Sequence, residues 1–327
     1  MRSALIVGAG VSGFLHALAL RSAGFAIEAI FDPDLERATL LASLVGGAPT
    51  DSFERIASAS AEVGAVCSPP PFHVAQAEAL ARPGRLLFVE KPVALTHDEL
   101  GRLRRLPNVV PVLQWRSGQA AGQLRDALVA GAFGAHPRLR LELRLWRDDA
   151  YFAGGRRGHA QWGCGAMLSI GIHAIDLLLW IVGKRVIGAS GREWCGRAGV
   201  DVGTAGELTI LFEGGAHAEL DVTLDAEGAN EVQLSVVGDS STAALVAGEG
   251  DPTASQLVLR GAARHGLPRG SGASGSPLLV PFVHEAVAAF DARRPMLSVA
   301  DVALAHALAV RVTMPRGEGR GQHAQAR

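Results

Sequence analysis

The sequence predicts an α/β fold, in which an N-terminal doubly wound parallel sheet is followed by a C-terminal α+β domain with a large, mostly antiparallel sheet. Two patterns predict this arrangement. In residues 1–116, short apolar runs alternate with helical segments at the spacing of right-handed βαβ units. After residue 117 the alternation stops, and a run of strands with strand-like patterning follows two helical segments.

The composition fits a folded protein without nucleic-acid or membrane partners. The 327 residues suffice for two domains of ordinary size, and the formal net charge of −1 gives no electrostatic reason to bind nucleic acid or an anionic membrane. Three widely spaced cysteines predict neither a disulfide framework nor a metal site. The longest apolar candidate for a membrane span, residues 170–182, is too short and carries His173 and Asp176. The N-terminal apolar run is too short for a signal peptide, so a cytoplasmic location is predicted.

A glycine-rich turn follows the first predicted strand. Residues 4–7 form a continuous apolar run, as in a strand buried on both faces of a parallel sheet, and a helix is predicted over 14–22. Between them lies a G-x-G-x-x-G motif, made of Gly8, Ala9, Gly10, Val11, Ser12 and Gly13. Its first glycine allows a tight turn, its second a close approach to a pyrophosphate, and its third close packing of helix on strand. The helix N-terminus would offer free N–H groups to that anion.

An acidic residue follows the second predicted strand, at 26–31. Asp32 comes about 20 residues after the glycine turn, as expected of the acid that binds the adenosine ribose hydroxyls. Alternatively, Asp32 opens a turn or caps the helix predicted over 33–44. Because strand, glycines, helix, strand and acid occur in order, we favour dinucleotide binding. A carboxylate repels a 2′-phosphate, so NAD is predicted as the cofactor, while the nearby Arg37 leaves NADP open.

Three later strands of this domain, at 62–68, 85–89 and 109–113, end in residues that could contact a ligand. Open α/β sheets bind ligands at the carboxyl ends of their strands. The further residues predicted to bind the cofactor are therefore Ser68, Pro69, His73, Glu90, Lys91 and Gln114. For His73, which lies in a helix predicted over 72–81, the alternative is a structural position near the helix start.

The second domain begins with a helix over 117–131 and a clear half-buried strand at 137–146, in which leucines alternate with charged residues. Residues 147–162 follow, with few apolar and many polar side chains, among them Arg157 and Trp162. Such a stretch is either an exposed loop or a loop that contacts substrate, and both interpretations stay open.

A polar stripe crosses the apolar helix predicted over 167–182. Ser169, His173 and Asp176 are spaced i, i+4 and i+7, so they would share one face. His173 is either a core histidine paired with Asp176 or an acid/base group. Because Lys91 and the dinucleotide motif are also present, we favour catalysis.

The remaining segments complete the predicted organisation. Strands are predicted at 186–189, 206–212, 216–224, 230–237, 242–246 and 256–259. A flexible segment is predicted at 261–277, and helices at 282–292 and 298–312. The predicted domains are a dinucleotide-binding domain at 1–116, a substrate-binding and oligomerisation domain at 117–280, helices bracing the first domain at 281–314, and a disordered tail at 315–327.

Together these motifs resemble the glucose–fructose oxidoreductase/inositol dehydrogenase/MocA (Gfo/Idh/MocA) family. The likeness rests on the glycine motif, the Ser-Pro-Pro turn before His73, the Glu90-Lys91-Pro92 sequence, and the glycine-rich segment that leads into G-x-H-x-x-D at 171–176. It implies a Rossmann domain for the nucleotide, substrate contact by Lys91 and acid/base chemistry at His173. It also implies an α+β domain whose sheet pairs with another subunit, hence a homodimer or homotetramer.

Two positions depart from the family pattern. Four residues before the histidine the family most often has Asp, sometimes Asn, whereas this chain has Ser169. A hydroxyl can hydrogen-bond a substrate, but it cannot hold a negative charge beside the imidazole, which bears on proton transfer and on the substrate class. Cys164 replaces the second glycine of a common Gly-Gly-Gly. The predicted substrate-binding residues are Ser169, Asp176, Arg157 and Trp162.

The leading hypothesis is a nicotinamide-dependent oxidoreductase that acts on a secondary alcohol or ketone of a sugar, nucleotide sugar or cyclitol, with the substrate class supplied by the resemblance. A first alternative is an NAD-binding regulator without redox chemistry, which Ser169 favours and the presence of Lys91 and His173 opposes. A second is redox-neutral lyase chemistry, or reduction of a C=C or C=N bond, on the same scaffold.

Overall fold

The computed structural model describes residues 2–153, 155–239, 241–248, 251–261 and 278–313. The chain forms two compact units. The first comprises Met1–Gly122 and Arg269–Leu304, and the second Gln123–Glu249 and Ala305–Arg327, with residues 250–268 divided between them. Of the flexible segment predicted at 261–277 only residue 261 is described, and the tail predicted at 315–327 lies wholly outside the described residues.

The first unit contains a six-stranded sheet with the strand order 3-2-1-4-5-6, in which each pair is parallel. Its strands are β1 (Ser3–Val7), β2 (Ala26–Phe31), β3 (Ala48–Thr50), β4 (Val63–Val66), β5 (Leu86–Val89) and β6 (Val109–Pro111). Successive side chains of a strand point to opposite faces. Accordingly, Ile6 and Phe88 belong to one buried cluster, and Leu5 and Val89 to another. The sheet is buried on both faces, which confirms the predicted doubly wound fold.

Helices cover both faces of this sheet. Within the described residues the α-helices are α1 (Val11–Ser22), α2 (Leu35–Val45), α3 (Phe53–Ser58), α4 (His73–Leu80), α5 (His97–Leu103), α6 (Gln119–Val129), α7 (Asp149–Ala153), α8 (Ile172–Val182), α9 (Leu279–Asp291) and α10 (Val299–Val312). One face is packed by α1, α2 and α9, through side chains such as Leu20 and Phe282. The other is packed by α3, α4 and α5, through side chains such as Leu80 and Leu103.

The strand order reverses between β1 and β4, which lie side by side in the centre of the sheet. A crevice opens at the carboxyl ends of the two strands at such a reversal, and ligands of open α/β sheets bind there. Gly8 directly follows β1, and Ser68 comes two residues after β4. The fold therefore brings two of the predicted cofactor-binding segments to one place.

β3 and α3, which lie between β2 and β4, were not predicted from the sequence. β3 has only three residues, too few for a period, and it contains Pro49. Proline has no N–H and is tolerated in β3 because this strand forms the sheet edge. α3 has six residues and begins after Ser52, whose Oγ accepts a hydrogen bond from Arg55 N at 3.4 Å.

The second unit contains a seven-stranded sheet with the order 13-12-11-7-10-9-8. Its strands are β7 (Arg138–Trp146), β8 (Val186–Trp194), β9 (Ala205–Phe212), β10 (His217–Thr223), β11 (Asp225–Val237), β12 (Ser241–Gly248) and β13 (Asp251–Gly261). β7 pairs in parallel with β10 and antiparallel with β11. The sheet is mostly antiparallel, as predicted. Along β7, Leu141 and Leu143 are buried whereas Arg140 and Arg144 are exposed, as the alternation predicted.

The helical segment that carries His173 begins differently from the prediction. Ala166–Gly171 is π-helical, and the regular helix α8 starts only at Ile172. Ser169 therefore lies on the π-helical segment, where the α-helical spacing does not apply. The regular helical spacing therefore supports a shared face only for His173 and Asp176, and the shared face of Ser169 stays a prediction.

One helical stretch in the described part of the chain, Ala160–Val182, is long and apolar enough to cross a bilayer by length and composition alone. The sequence analysis had counted only residues 170–182. In the structure 78% of the apolar window is buried inside the protein, which is typical of a core helix.

Arg85 ties the region before β4 to the end of α4. Its buried side chain donates hydrogen bonds to the backbone oxygens of Ala61 (2.9 Å), Leu80 (3.1 Å) and Ala59 (2.5 Å). We expect Arg85→Met to lower the free energy of unfolding by about 2–3 kcal/mol, because buried carbonyl oxygens lose their donor. Urea denaturation measures this loss. The exposed Arg55→Met is the control, with an expected change within about 0.5 kcal/mol; equal losses in both variants would contradict the role of Arg85.

Candidate active site

The glycine motif forms a tight cradle between β1 and α1. Gly8 has φ +100° and donates its N–H to Phe31 O at 2.7 Å. A Cβ on Gly13 would lie 1.9 Å from Gly8 O, so only glycine lets α1 approach β1 this closely. A Cβ on Gly10, in contrast, would have no heavy atom of the described residues within 4 Å. The space at Gly10 is therefore open to a ligand.

The first turn of α1 faces this open space with its backbone. The helix begins at Val11 and its N-cap is Gly10, which has no side chain to accept the N–H groups of the first turn. Val11 is 76% exposed, and Ser12 is half-buried. Such an uncapped helix start attracts anions through its N–H groups and its dipole. The cradle fits a pyrophosphate.

Asp32 holds its carboxylate beside the cradle. Its Oδ2 accepts a hydrogen bond from Ala9 N at 2.9 Å, and its Oδ1 accepts one from Asp34 N at 3.0 Å. The helix cap is Asp34, because Asp34 Oδ1 accepts from the N–H groups of Glu36 and Arg37. Asp32 therefore opens a turn, as one of the two structural alternatives predicted. The other alternative, that Asp32 caps the helix, was wrong.

Arg37 forms an ion pair with the same capping residue, Asp34. Its Nε lies 3.2 Å from Asp34 Oδ2, so the guanidinium that could have received a 2′-phosphate is paired on the surface with a carboxylate. Together with the negative charge of Asp32, this pairing favours ribose hydroxyls over a phosphate at this position.

The ends of β4 and β6 supply further polar groups. Ser68 Oγ donates to Gln76 Oε1 at 2.5 Å, and Pro69 precedes a short 3-10 helix, Pro70–Phe72. Gln114, which begins the 3-10 helix Gln114–Ser117, buries its Oε1 without a hydrogen-bond partner among the described residues. A buried acceptor of this kind calls for a donor. The carboxamide of a nicotinamide ring would supply one.

Lys91 lies in a turn directly after β5. Its N–H donates to Glu90 Oε2 at 3.2 Å, and Glu90 Oε1 lies 3.0 Å from Nε2 of the buried His16 on α1. The part of His16 in this site was not predicted from the sequence. The available signal was a titratable residue on the apolar face of α1, three residues after the last glycine of the motif.

His73 lies on the other side of this turn. It is 1% exposed, with Nδ1 2.9 Å from Pro92 O and Nε2 2.6 Å from Ser68 O. Burial lowers the pKa of His73, and the two carbonyl oxygens oppose that change. Because both ring nitrogens already face the backbone, we assign His73 a structural position and not a contact with the cofactor.

In the second unit, His173 and Asp176 are buried on α8, with 7% and 1% exposure, and Ser169 is half-buried. The π-helical segment before α8 is held by Glu193 of β8, whose Oε1 accepts a hydrogen bond from Met167 N at 2.8 Å. Glu193 is itself buried. A buried carboxylate at a helix start satisfies orphan N–H groups and interacts favourably with the dipole. The role of Glu193 was not predicted, because nothing in a strand pattern indicates a partner for a distant helix.

The polar loop before this helix is organised around the single tyrosine of the chain. The guanidinium of Arg157 lies 4.5 Å from the ring centre of Tyr151, and that of Arg147 lies 5.4 Å from it. Trp162 is stacked under Arg156, at 5.0 Å, and not under Arg157. Burial raises the pKa of the Tyr151 phenol, and the two arginines that face it oppose the rise. The loop therefore presents positive charge on aromatic supports.

Two family models match the chain. The model described as "Oxidoreductase family, NAD-binding Rossmann fold" matches residues 2–108, and that described as "GFO/IDH/MocA C-terminal domain" matches residues 122–244. The two matches together cover more than half of the chain. The first match lies within the first compact unit, and the second match begins at residue 122, one residue before the second unit.

Individual relatives agree with these matches. Inositol 2-dehydrogenase 1 of Saccharopolyspora erythraea is 24% identical over an alignment of 255 residues, which covers 73% of this chain and 72% of that protein. The WlbA dehydrogenase of Bordetella pertussis, solved with NADH and UDP-GlcNAcA, superposes with a TM-score of 0.81 at 20% identity over 95% of both chains. Levoglucosan dehydrogenase, solved with NADH and levoglucosan, superposes with a TM-score of 0.79 at 19% identity over 96% of this chain and 99% of that one. The solved structures share the fold.

Substitution by alanine should have different effects at two glycines of the cradle. We expect Gly13→Ala to lower the free energy of unfolding by about 2–3 kcal/mol, because its Cβ collides with the backbone of Gly8. Gly10→Ala should change that free energy by no more than about 1 kcal/mol, since its Cβ meets nothing. Gly10→Ala should instead weaken NADH binding at least about tenfold, because the methyl group occupies the space of the pyrophosphate.

Urea denaturation and NADH titration of both variants check this contrast. Unchanged NADH affinity in Gly10→Ala would contradict the cradle as the phosphate site.

Proposed function

This chain belongs to the GFO/IDH/MocA family of oxidoreductases, with an NAD-binding Rossmann domain, and we propose that it transfers hydride between NAD and a secondary alcohol or ketone of a sugar, nucleotide sugar or cyclitol. One observation carries the cofactor part of this proposal. The open space at Gly10, the uncapped start of α1 and the carboxylate of Asp32 lie together at the ends of β1 and β2. They suit the pyrophosphate and adenosine ribose of NAD.

The proposed chemistry is a proton transfer coupled to a hydride transfer. NAD, when bound, supplies the hydride acceptor. In the oxidative direction the C–H bond of the alcohol carbon breaks and its electron pair leaves as hydride, while His173 accepts the hydroxyl proton. Lys91, as a cation, donates a hydrogen bond to the reacting oxygen and stabilises its developing negative charge. In the reductive direction His173 returns the proton to that oxygen.

The family resemblance supplies these two roles, and local structure supports that of His173. His173 is buried on α8 one turn before Asp176, so Asp176 is suited to orient the imidazole. Ser169 is the residue that we assign to a substrate hydroxyl, since it offers both a donor and an acceptor. A serine leaves His173 without the fixed charge that an aspartate would place at that position.

We further infer that the substrate carries an anionic group. Arg147 and Arg157 face Tyr151 from the loop that precedes the His173 helix. Among the described residues, the contacts of Arg156 and Arg157 are with the aromatic rings of Trp162 and Tyr151, not with a carboxylate. Guanidinium groups bind carboxylates and phosphates in a bidentate manner. A sugar acid or a nucleotide sugar therefore suits this loop better than a neutral cyclitol does.

We also infer that two copies of the chain associate through the exposed face of the seven-stranded sheet. Large apolar side chains are exposed on its strands, among them Trp194 (42%), Leu211 (47%) and Val237 (52%). A depression of about 480 Å³ on the sheet is lined by charged side chains such as Arg140 and Asp221, which pair at 2.9 Å. Exposed apolar side chains rimmed by polar ones mark surfaces where proteins associate. Light scattering of the purified protein tests the association.

A cytoplasmic location remains a prediction.

The first experiment is a titration with NADH and NADPH, followed by energy transfer from the protein's five tryptophans. We expect NADH to bind at least about tenfold more tightly, because Asp32 repels a 2′-phosphate and Arg37 is paired with Asp34. Turnover is then measured with a neutral cyclitol, a neutral sugar, a sugar acid and UDP-sugars, with the anionic compounds expected to react faster. Tight NADH binding without turnover of any compound would favour the NAD-binding regulator. Product formation without net NADH would favour the redox-neutral reaction.

A second prediction concerns His173. We expect His173→Ala to lower kcat by a factor of about 10² to 10⁴, because the variant lacks the positioned acid/base, while the dissociation constant of NADH stays unchanged. The exposed His136→Ala in the same unit is the matched control and should keep its activity. A kcat near that of the parent protein in His173→Ala would exclude this residue as the acid/base.

A further inference from the structure

Lys91 lies between two neighbours that are each anchored to a different helix. Glu90, before it, contacts α1 through its side chain, and Pro92, after it, contacts α4 through its carbonyl oxygen. The turn itself continues the sheet, since Glu90 N donates to Val66 O at 3.0 Å. The backbone on both sides of Lys91 is thus fixed by groups that are remote in sequence.

The first anchor is the pair of His16 and Glu90. His16 is fully buried, packs its ring 6.0 Å from that of Phe88, and has no partner for Nδ1 among the residues that the structure describes. Nε2 is therefore the nitrogen that carries the hydrogen and donates to the carboxylate. The same carboxylate accepts the N–H of Lys91 through its other oxygen. One side chain thereby joins the backbone of Lys91 to α1.

The second anchor is His73. Its ring is wedged between Pro92 O and Ser68 O, so it spans the segments that follow β5 and β4. A neutral imidazole carries one N–H and donates to one of these oxygens at a time, while the rigid ring fixes the distance between them. Glu90 and Glu99 are the charged groups that favour its protonated form.

We propose that His73 and the His16–Glu90 pair are positioning residues, which fix the Lys91 turn to the two segments that form the nucleotide site. α1 begins at the phosphate cradle, and Ser68 lies against Gly8, since a Cβ on Gly8 would come within 2.8 Å of Ser68 N. The place of the lysine is thus defined relative to the place of the cofactor. The catalytic consequence rests on the role proposed above for Lys91.

The expected kinetic signature follows from what the anchors hold. None of these three side chains lies within 4 Å of a Cβ placed on Gly10, so their loss should leave NADH binding largely intact. A displacement of a catalytic group by about 1 Å costs about 10²-fold in rate. We therefore expect His73→Leu to lower kcat by about that factor, and His73→Gln, which keeps one amide donor, to recover part of the loss.

The position of Lys91 can also be measured without any substrate. The sequence contains only two lysines, Lys91 and Lys184, and Lys184 is exposed in the second unit. Brief acetylation of the NADH-bound protein with trace acetic anhydride, followed by mass spectrometry of the peptides, gives the reactivity of Lys91 relative to Lys184. Lys91 is half-buried, so its release from the anchors should raise this ratio. We expect the rise in His73→Leu and in His16→Leu, and a smaller one in His73→Gln.

Arg85→Met is the matched control. Arg85 is a buried side chain that bonds backbone carbonyl oxygens before β4 and at the end of α4, and it lies at the opposite end of β5 from Lys91. Loss of the Arg85 side chain should destabilise the region between β4 and α4 without removing any contact of the Lys91 turn. We expect Arg85→Met to keep both the parent ratio of lysine reactivities and the parent kcat at a temperature where it is folded.

An unchanged lysine ratio in His73→Leu, or an equal change in Arg85→Met, would overturn the positioning role. If the parent protein turns over none of the compounds tested, the proposed function fails while the lysine ratio still decides whether the anchors hold Lys91. If kcat falls while the ratio is unchanged, His73 acts by some means other than the position of Lys91, and the proposal is wrong.

Discussion

The close approach of α1 to β1 determines the geometry of the whole nucleotide-binding unit. It is possible only because residue 13 has no side chain, since a Cβ there would lie 1.9 Å from the oxygen of Gly8. With α1 so near, the first turn of the helix opens directly beyond the strand, and the loop between them is close enough to β2 for Asp32 to accept a bond from Ala9. His16, further along the same helix, then reaches Glu90 beyond β5. The absence of one methyl group thus connects the glycine cradle, the carboxylate of Asp32 and the lysine turn.

In the second unit, two polar residues are buried on a helix that is otherwise apolar. His173 and Asp176 are buried on α8 among side chains such as Ile175 and Leu178. The helix start is held by Glu193, a buried carboxylate from β8, so the backbone N–H of Met167 is not left unsatisfied. The adjoining loop holds its arginines on aromatic rings. Charge is therefore kept near an apolar helix by local partners.

The sequence predicted those features that depend on local chemistry. The glycine motif predicted the cradle because turn and close packing exclude other residues, and the alternation in β7 predicted its buried leucines. Features that depend on distant partners were not predictable. No spacing indicates that His16 meets Glu90 or that Glu193 meets Met167, since these pairs form only through the fold. The π-helical start of the His173 helix was missed because a periodic apolar pattern does not distinguish one extra residue in a turn.

Because β7 pairs in parallel with β10, the second unit depends on contacts between distant parts of the chain. Leu141 of β7 lies beside Leu220 of β10 on one side and Leu234 of β11 on the other. β10 and β11 both follow α8 in the chain. While the ribosome is still making α8, the strands that pair with β7 have therefore not been synthesised. Closing such long loops also slows folding. The nascent chain therefore exposes an apolar strand with two unpaired edges for much of its synthesis, and unpaired strands of this kind are prone to pair with other chains.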